Sequence, residues 1–190
     1  MLLDETADII RREGVANLSL ERIAQSAGVS KSLVYTYFDS LLELLQELLD
    51  RELKALRRLQ LEGAEKATTF EQLVRNITHA YLTYIEDRGL IIERLQAEPS
   101  VSGIHDPTDY SRSGAVDYLA PILAKHFDMP LDQAKAATDI SFGLPSAAGQ
   151  FLLHNDMSRE VVEELTVNMI IGSITQWHSS YLAKQRELER

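Results

Sequence analysis

The sequence predicts an all-α protein. Apolar residues recur at three- and four-residue spacing through almost every segment, without sustained alternation. The 9 glycines and 5 prolines fall mainly between these periodic stretches. Serine or threonine stands before several of them at the spacing of helix caps. At 190 residues the chain has room for a small amino-terminal domain, residues 1–48, and a larger helical one, residues 49–190.

The first helix is expected over residues 2–13, with Leu3, Ala7 and Ile10 on one face and Gly14 as its stop. A second follows the N-cap Ser19 and turns Leu20, Ile23, Ala24 and Ala27 inward until Gly28 closes it. The third runs from Ser30 to about Phe38, its apolar side built from Leu33 or Val34 and Phe38. Ser40 and Glu43 form an S-x-x-E capping box that opens a long fourth helix. Thr69 and Gln72 open the next, expected to stop near Gly89, with a short helix ending at Pro99 behind it. Residues 99–110 read as loop, His105, Asp106 and Asp109 among them, and Asp106-Pro107 as a helix start. The helix after it is bent or broken by Pro121. Two helices, 131–154 and 158–183, complete the chain, and Pro145 should kink the first.

Composition excludes several classes of function. There is no cysteine, hence no disulfide, thiolate metal site or cysteine nucleophile. The amino terminus carries acids early and lacks a secretion signal, and no apolar run approaches the eighteen residues of a membrane span. A cytoplasmic protein without membrane partners is expected. The five histidines show no paired metal spacing, and neither a nucleophile elbow nor a phosphate-binding glycine loop occurs, so no enzyme, metal or cofactor is expected.

The stretch that carries chemistry is residues 19–38, SLERIAQSAGVSKSLVYTYF. Two short helices joined by a tight turn make a helix-turn-helix if they cross steeply. Three positions enforce that crossing: Ala24 is small where the helices touch, Gly28 can take φ > 0, and Val34 packs back between them. A larger residue at Ala24 or Gly28 is expected to push the helices apart. The other side of the third helix then faces solvent with Lys31, Ser32, Tyr35 and Thr36, and Tyr37 at its edge. Such a helix can enter the major groove of duplex DNA.

This stretch resembles the helix-turn-helix of the tetracycline-repressor (TetR) family in Ile23, Ala24, Ala27, Gly28, Val29, Ser30, Lys31, Tyr35 and Phe38, and LLDETADIIRREG resembles that family's first helix. The resemblance implies a double-stranded DNA operator as partner. It places Ser19 on a phosphate and Ser30, Lys31, Ser32, Leu33, Tyr35, Thr36 and Tyr37 on the recognition surface. Leu41 stands where the family usually has a lysine, and the basic arm that often precedes the first helix is absent. The resemblance further implies a repressor released by a small-molecule effector bound in the carboxy-terminal domain. Tyr81, Tyr84, Leu95, Phe142, Gln150 and Trp177 are the candidate lining, as large aromatic or polar groups on inward-facing helices.

Net charge is −10, the wrong sign for a phosphate partner, but residues 1–60 hold 8 basic against 10 acidic residues and the remainder 11 against 19. The acidity therefore lies mostly away from the motif, and the few cations predict a shallow salt dependence of DNA binding. The last helix has apolar residues on several sides, from Val161 to Tyr181, and its neighbour holds the small residues Ser141, Gly143, Ser146, Ala147, Ala148 and Gly149. A homodimer paired through helices 131–154 and 158–183 would cover both. A helical adaptor using its helix-turn-helix to bind protein is the alternative function.

Overall fold

The computed structural model describes residues 1–102 and 107–188; it is 84% helical, with no strand among the described residues. The helices are α1 Leu2–Glu13, α2 Leu20–Ser26, α3 Lys31–Tyr37, α4 Leu41–Glu65, α5 Phe70–Gln96, α6 Pro99–Ser102, α7 Pro107–Phe127, α8 Leu131–Ser141, α9 Gly143–His154 and α10 Arg159–Leu188. Two compact units result: Met1–Ala55 with Asp87–Thr108, and Leu56–Glu86 with Asp109–Arg190. The division falls inside α4 and inside α5, each of which is one unbroken helix.

In the first unit, Ala7 and Ile10 of α1, Ile23 and Ala24 of α2, Val34 of α3 and the α4 residues Leu44, Leu45, Leu48 and Leu49 are buried. Ile91, Ile92 and Leu95 of α5 are buried as well, which is why this stretch joins the amino-terminal residues. Charged side chains add direction to that apolar burial. Glu52 is only 2% exposed. It accepts from Arg88 Nε at 2.8 Å and from a terminal nitrogen of Arg88 at 2.7 Å. Arg51 donates to the same carboxylate at 3.0 Å and to Asp4 at 2.6 Å, so α1, α4 and α5 share one ionic chain. A charge so buried is tolerated only when paired. Arg94 donates to the carbonyls of Ile10 and, at 2.8 Å, of Arg11, filling acceptors left open at the end of α1.

The second unit has a core of Phe70 and Val74 from α5, Val116, Ala120 and Leu123 from α7, Met129, Ala134 from α8, and Val167, Ile170 and Ile174 from α10. His126 stacks on Phe70, with ring centroids 5.2 Å apart, and His178 meets Phe127 edge-on. His79 lies 3.0 Å from the carboxylate of Glu163. At Gly149 a methyl group would stand 3.1 Å from Tyr81 Cε1 and 3.2 Å from Ile85, so this member of the small-residue run serves packing within the chain. Tyr81 also hydrogen-bonds Ser146, and burial raises its phenol above the ordinary value.

Several boundaries can be set against the sequence expectation. Gly89 does not stop α5, because its φ is not positive and the apolar stripe resumes at Ile91, Ile92 and Leu95. Tertiary burial there outweighs the roughly 1 kcal/mol that glycine costs a helix. Pro121 lies inside α7 without breaking it. By contrast, the expected kinked helix 131–154 is two helices parted at Phe142. Pro145 has no N–H to donate to Ser141, four residues back, and its ring crowds that carbonyl, so the ladder ends one turn before the proline. The expected loop contains the short α6, while residues 103–106, with His105 and Asp106, lie outside the described residues.

Gly149→Ala should lower the denaturant midpoint by about 1–3 kcal/mol of stability, because a close-packed site is overfilled. Gly143→Ala, where a methyl group meets nothing within 4 Å, should leave the midpoint unchanged or higher.

Candidate nucleic-acid interface

α2 and α3 are each seven residues long and pack against one another. Each begins on a serine: Ser19 Oγ accepts from the Arg22 N–H at 3.1 Å, and Ser30 Oγ from the Leu33 N–H at 3.2 Å. Accepting a backbone bond leaves the serine O–H proton unspent. α4 opens with Ser40 Oγ accepting from the Glu43 N–H at 3.1 Å. The return bond from Glu43 reaches the Asp39 N–H at 2.7 Å, one residue before the cap itself.

The turn is fixed by conformation. Gly28 has φ +66°, its N–H reaches the Gln25 carbonyl at 3.2 Å, and the Val29 N–H reaches Ala24 at 3.0 Å. A Cβ at Gly28 would meet nothing within 4 Å, so the expectation that bulk there parts the helices is corrected: the left-handed backbone excludes other residues, and space does not. Ala24, buried to 3% exposure, is the position where size matters.

Val34 is the single fully buried residue of α3. Ser30, Lys31, Ser32, Leu33, Tyr35, Thr36 and Tyr37 are all exposed. Ser19 is half-buried at the start of α2. Ser30 and Ser32 hydroxyls lie 3.1 Å apart, and Thr36 Oγ1 donates to the Ser32 carbonyl at 2.9 Å. Lys31 and Tyr35 both turn to Glu21 of α2, at 2.6 Å and 3.2 Å. Nothing in the apolar periodicity marks Glu21, because an exposed acid is the ordinary filler of a solvated helix face.

The six residues expected to line an effector site are not gathered together. Phe142 lines an apolar cavity of about 80 Å³ in the second unit. Tyr81 packs on Gly149, and Tyr84 is half-buried. Leu95 lies in the core of the first unit, while Gln150 and Trp177 are exposed. The cavity is walled instead by Leu73 and Ile77 of α5, Leu123 of α7, Ile170 and Ile174 of α10, and the α8–α9 junction. Such a wall is assembled from five helices, so helical periodicity alone does not reveal it.

Gly28→Val should cost the fold about 1–2 kcal/mol through backbone strain, read as a lower melting temperature, since a β-branched residue resists positive φ.

Residues 2–48 match the model of the family of bacterial regulatory proteins known as tetR. No curated protein sequence matches the chain. A TetR-family transcriptional regulator from Streptomyces coelicolor superposes with TM-score 0.74 at 18% identity, over 95% of this chain and 81% of its own. The TetR-family regulator PfmR from Thermus thermophilus gives 0.68 at 20%, over 89% and 96%. The fatty acid degradation regulator FadR from Bacillus halodurans gives 0.71 at 12%, over 89% and 92%. At these identities the likeness is one of fold. The amino-terminal module thus matches the tetR family model, and the rest of the chain shares the fold of these TetR-family structures.

Proposed function

We propose that this regulator is a homodimeric repressor that leaves its operator when a small, uncharged, apolar effector binds. The observation that carries the reading is the exposed face of α3, where six of seven helical side chains point to solvent while Val34 anchors the helix. Ser32 and Tyr37 offer donors and Thr36 an acceptor to base edges, Lys31 a cation and Tyr35 a hydroxyl to the backbone, with Ser19 and Ser30 at the helix starts and Leu33 as apolar contact. A dimer presents two such helices about 34–36 Å apart to a near-palindromic site, in the cytoplasm, and bars polymerase sterically.

Dimerisation is supported by α10. Val162, Val167, Ile170 and Ile174 are buried in the second unit, whereas Val161, Leu165, Met169 and Trp177 remain exposed on the same helix. Phe151 of α9, which packs beside α10, is exposed as well. An apolar stripe of this kind is a natural surface for a second copy.

The effector's class is argued from the cavity. Among its named walls no side chain is charged, and two of its hydroxyls are spent on their own helix: Thr138 donates to Ala134 at 2.8 Å and Ser141 to Ala137 at 2.7 Å. A polar guest would lose water without compensation. The volume of about 80 Å³ is roughly half of the ~150 Å³ that houses benzene in an engineered cavity. A larger guest must part α5, α7 and α10, and it shifts the protein only by favouring that parted arrangement.

Selecting bound duplexes from a random pool, with sedimentation of the chain alone, tests the reading: a dimer and a near-palindromic consensus are expected, and a monomer or an absence of sequence preference overturns it. Tyr35→Ala should weaken binding to every selected sequence, at least several-fold, with an unchanged melting temperature. Leu123→Trp fills the cavity; it should abolish the thermal shift produced by neutral aromatic or aliphatic compounds while operator affinity stays within about threefold.

A further inference from the structure

The two α3 side chains best suited to a phosphate are already occupied. Glu21, in the first turn of α2, places Oε1 2.6 Å from Lys31 Nζ and accepts from the Tyr35 hydroxyl at 3.2 Å. The Lys31 ammonium stands 5.7 Å from the centroid of the Tyr35 ring, so lysine, tyrosine and carboxylate form a closed triangle on the exposed face. Elsewhere in residues 2–48, Arg22 pairs with Glu13 and Arg11 with Asp8. Three of the four basic side chains of the module therefore carry a carboxylate, and Lys31 is the one that does so on α3.

We infer that Glu21 is a built-in competitor for the DNA phosphate, standing where a backbone oxygen would otherwise sit between Lys31 and Tyr35. The inference rests on the DNA-binding reading above. Contact with the duplex at this point is then an exchange of anions and not the capture of one. A lysine that meets a phosphate ordinarily frees condensed counterions, worth about 0.9 log units of affinity per log unit of salt. When the lysine arrives with its own carboxylate, the displaced Glu21 recruits a cation in turn, and the net release at this site falls towards zero. Glu21 does not lose its charge at any pH suited to binding, because the hydrogen bond from Lys31, with its own backbone N–H next, holds its carboxyl at about 2. The weak electrostatic grip leaves discrimination to the base-edge contacts of Ser32, Thr36 and Tyr37, which Glu21 does not touch.

The test is fluorescence anisotropy of the full chain on a random-sequence duplex across a salt series, for the wild type, Glu21→Gln, Lys31→Gln and the double variant. The glutamine keeps an acceptor for Tyr35 and removes only the charge. Glu21→Gln should tighten binding at low salt and steepen the slope of log affinity against log salt by about 0.9 per subunit. Lys31→Gln alone should change the slope little, and the double variant should return to the wild-type slope. A Glu21→Gln slope equal to the wild type, or a full 0.9 loss from Lys31→Gln alone, overturns the inference. So does a loss of selected-operator affinity in Glu21→Gln with a matching melting temperature, which would make Glu21 a reader of bases. Should the amide variant melt early, Glu21→Ala is measured in its place against the same criteria. A wild-type chain that binds no duplex at all overturns the repressor reading together with this one, whereas ordinary binding with an unsteepened slope removes this one alone.

Discussion

A helix of seven residues does not persist in water by itself, because its nucleation cost exceeds what so few hydrogen bonds return. α3 exists because Val34 is buried beneath it and because a serine caps its start. One fully buried valine contributes on the order of 1.5–3 kcal/mol. Everything the module can offer a duplex is mounted on that anchor, and the positive φ of Gly28 decides where the anchor points. Side chains facing solvent are free to vary in chemistry only because Val34, Ala24 and Ile23 are not.

The first three helices were almost wholly legible in the sequence, since their signals are local. Gly14 and Gly28 carry the positive φ that ends α1 and turns α2 into α3, and Ser19, Ser30, Ser40 and Thr69 accept the backbone bonds their spacing promised. Legibility failed where a distant partner decides. Gly89 reads as a stop, yet the burial of Ile91, Ile92 and Leu95 carries the helix through it. Pro145 announces a disturbance but not that the ladder parts at Phe142. The cavity wall draws one or two residues from each of several helices, which leaves no pattern to read. Glu21 was invisible for the opposite reason: an exposed acid on a short helix is what any solvated surface would carry.

An acidic protein proposed to read DNA faces a problem of sign, and it is not removed locally: residues 2–48 hold 4 basic against 8 acidic side chains. Arg11, Arg22 and Lys31 are each matched by a nearby carboxylate, so the cations of the module are neutralised in place and recognition must lean on neutral donors and acceptors. In the same unit, the ionic chain from Asp4 through Arg51 and the buried Glu52 to Arg88 ties α1, α4 and α5 by charge where apolar contact alone would allow sliding. Surface pairs of the first kind add little to stability, while the buried group of the second kind is costly to disrupt.

The parting of α8 from α9 at Phe142 reaches beyond local geometry. Pro145 has no amide hydrogen for the Ser141 carbonyl, so the junction lacks that rung of the helical ladder, while the Ser146 N–H reaches the Phe142 carbonyl at 3.4 Å and the Phe142 N–H reaches that of Thr138 at 3.3 Å. Phe142 and Ser141 sit at this junction and in the cavity wall. One side of the chamber is thus held by one backbone bond fewer than an unbroken helix would supply, and substitutions at those two positions can regauge what fits.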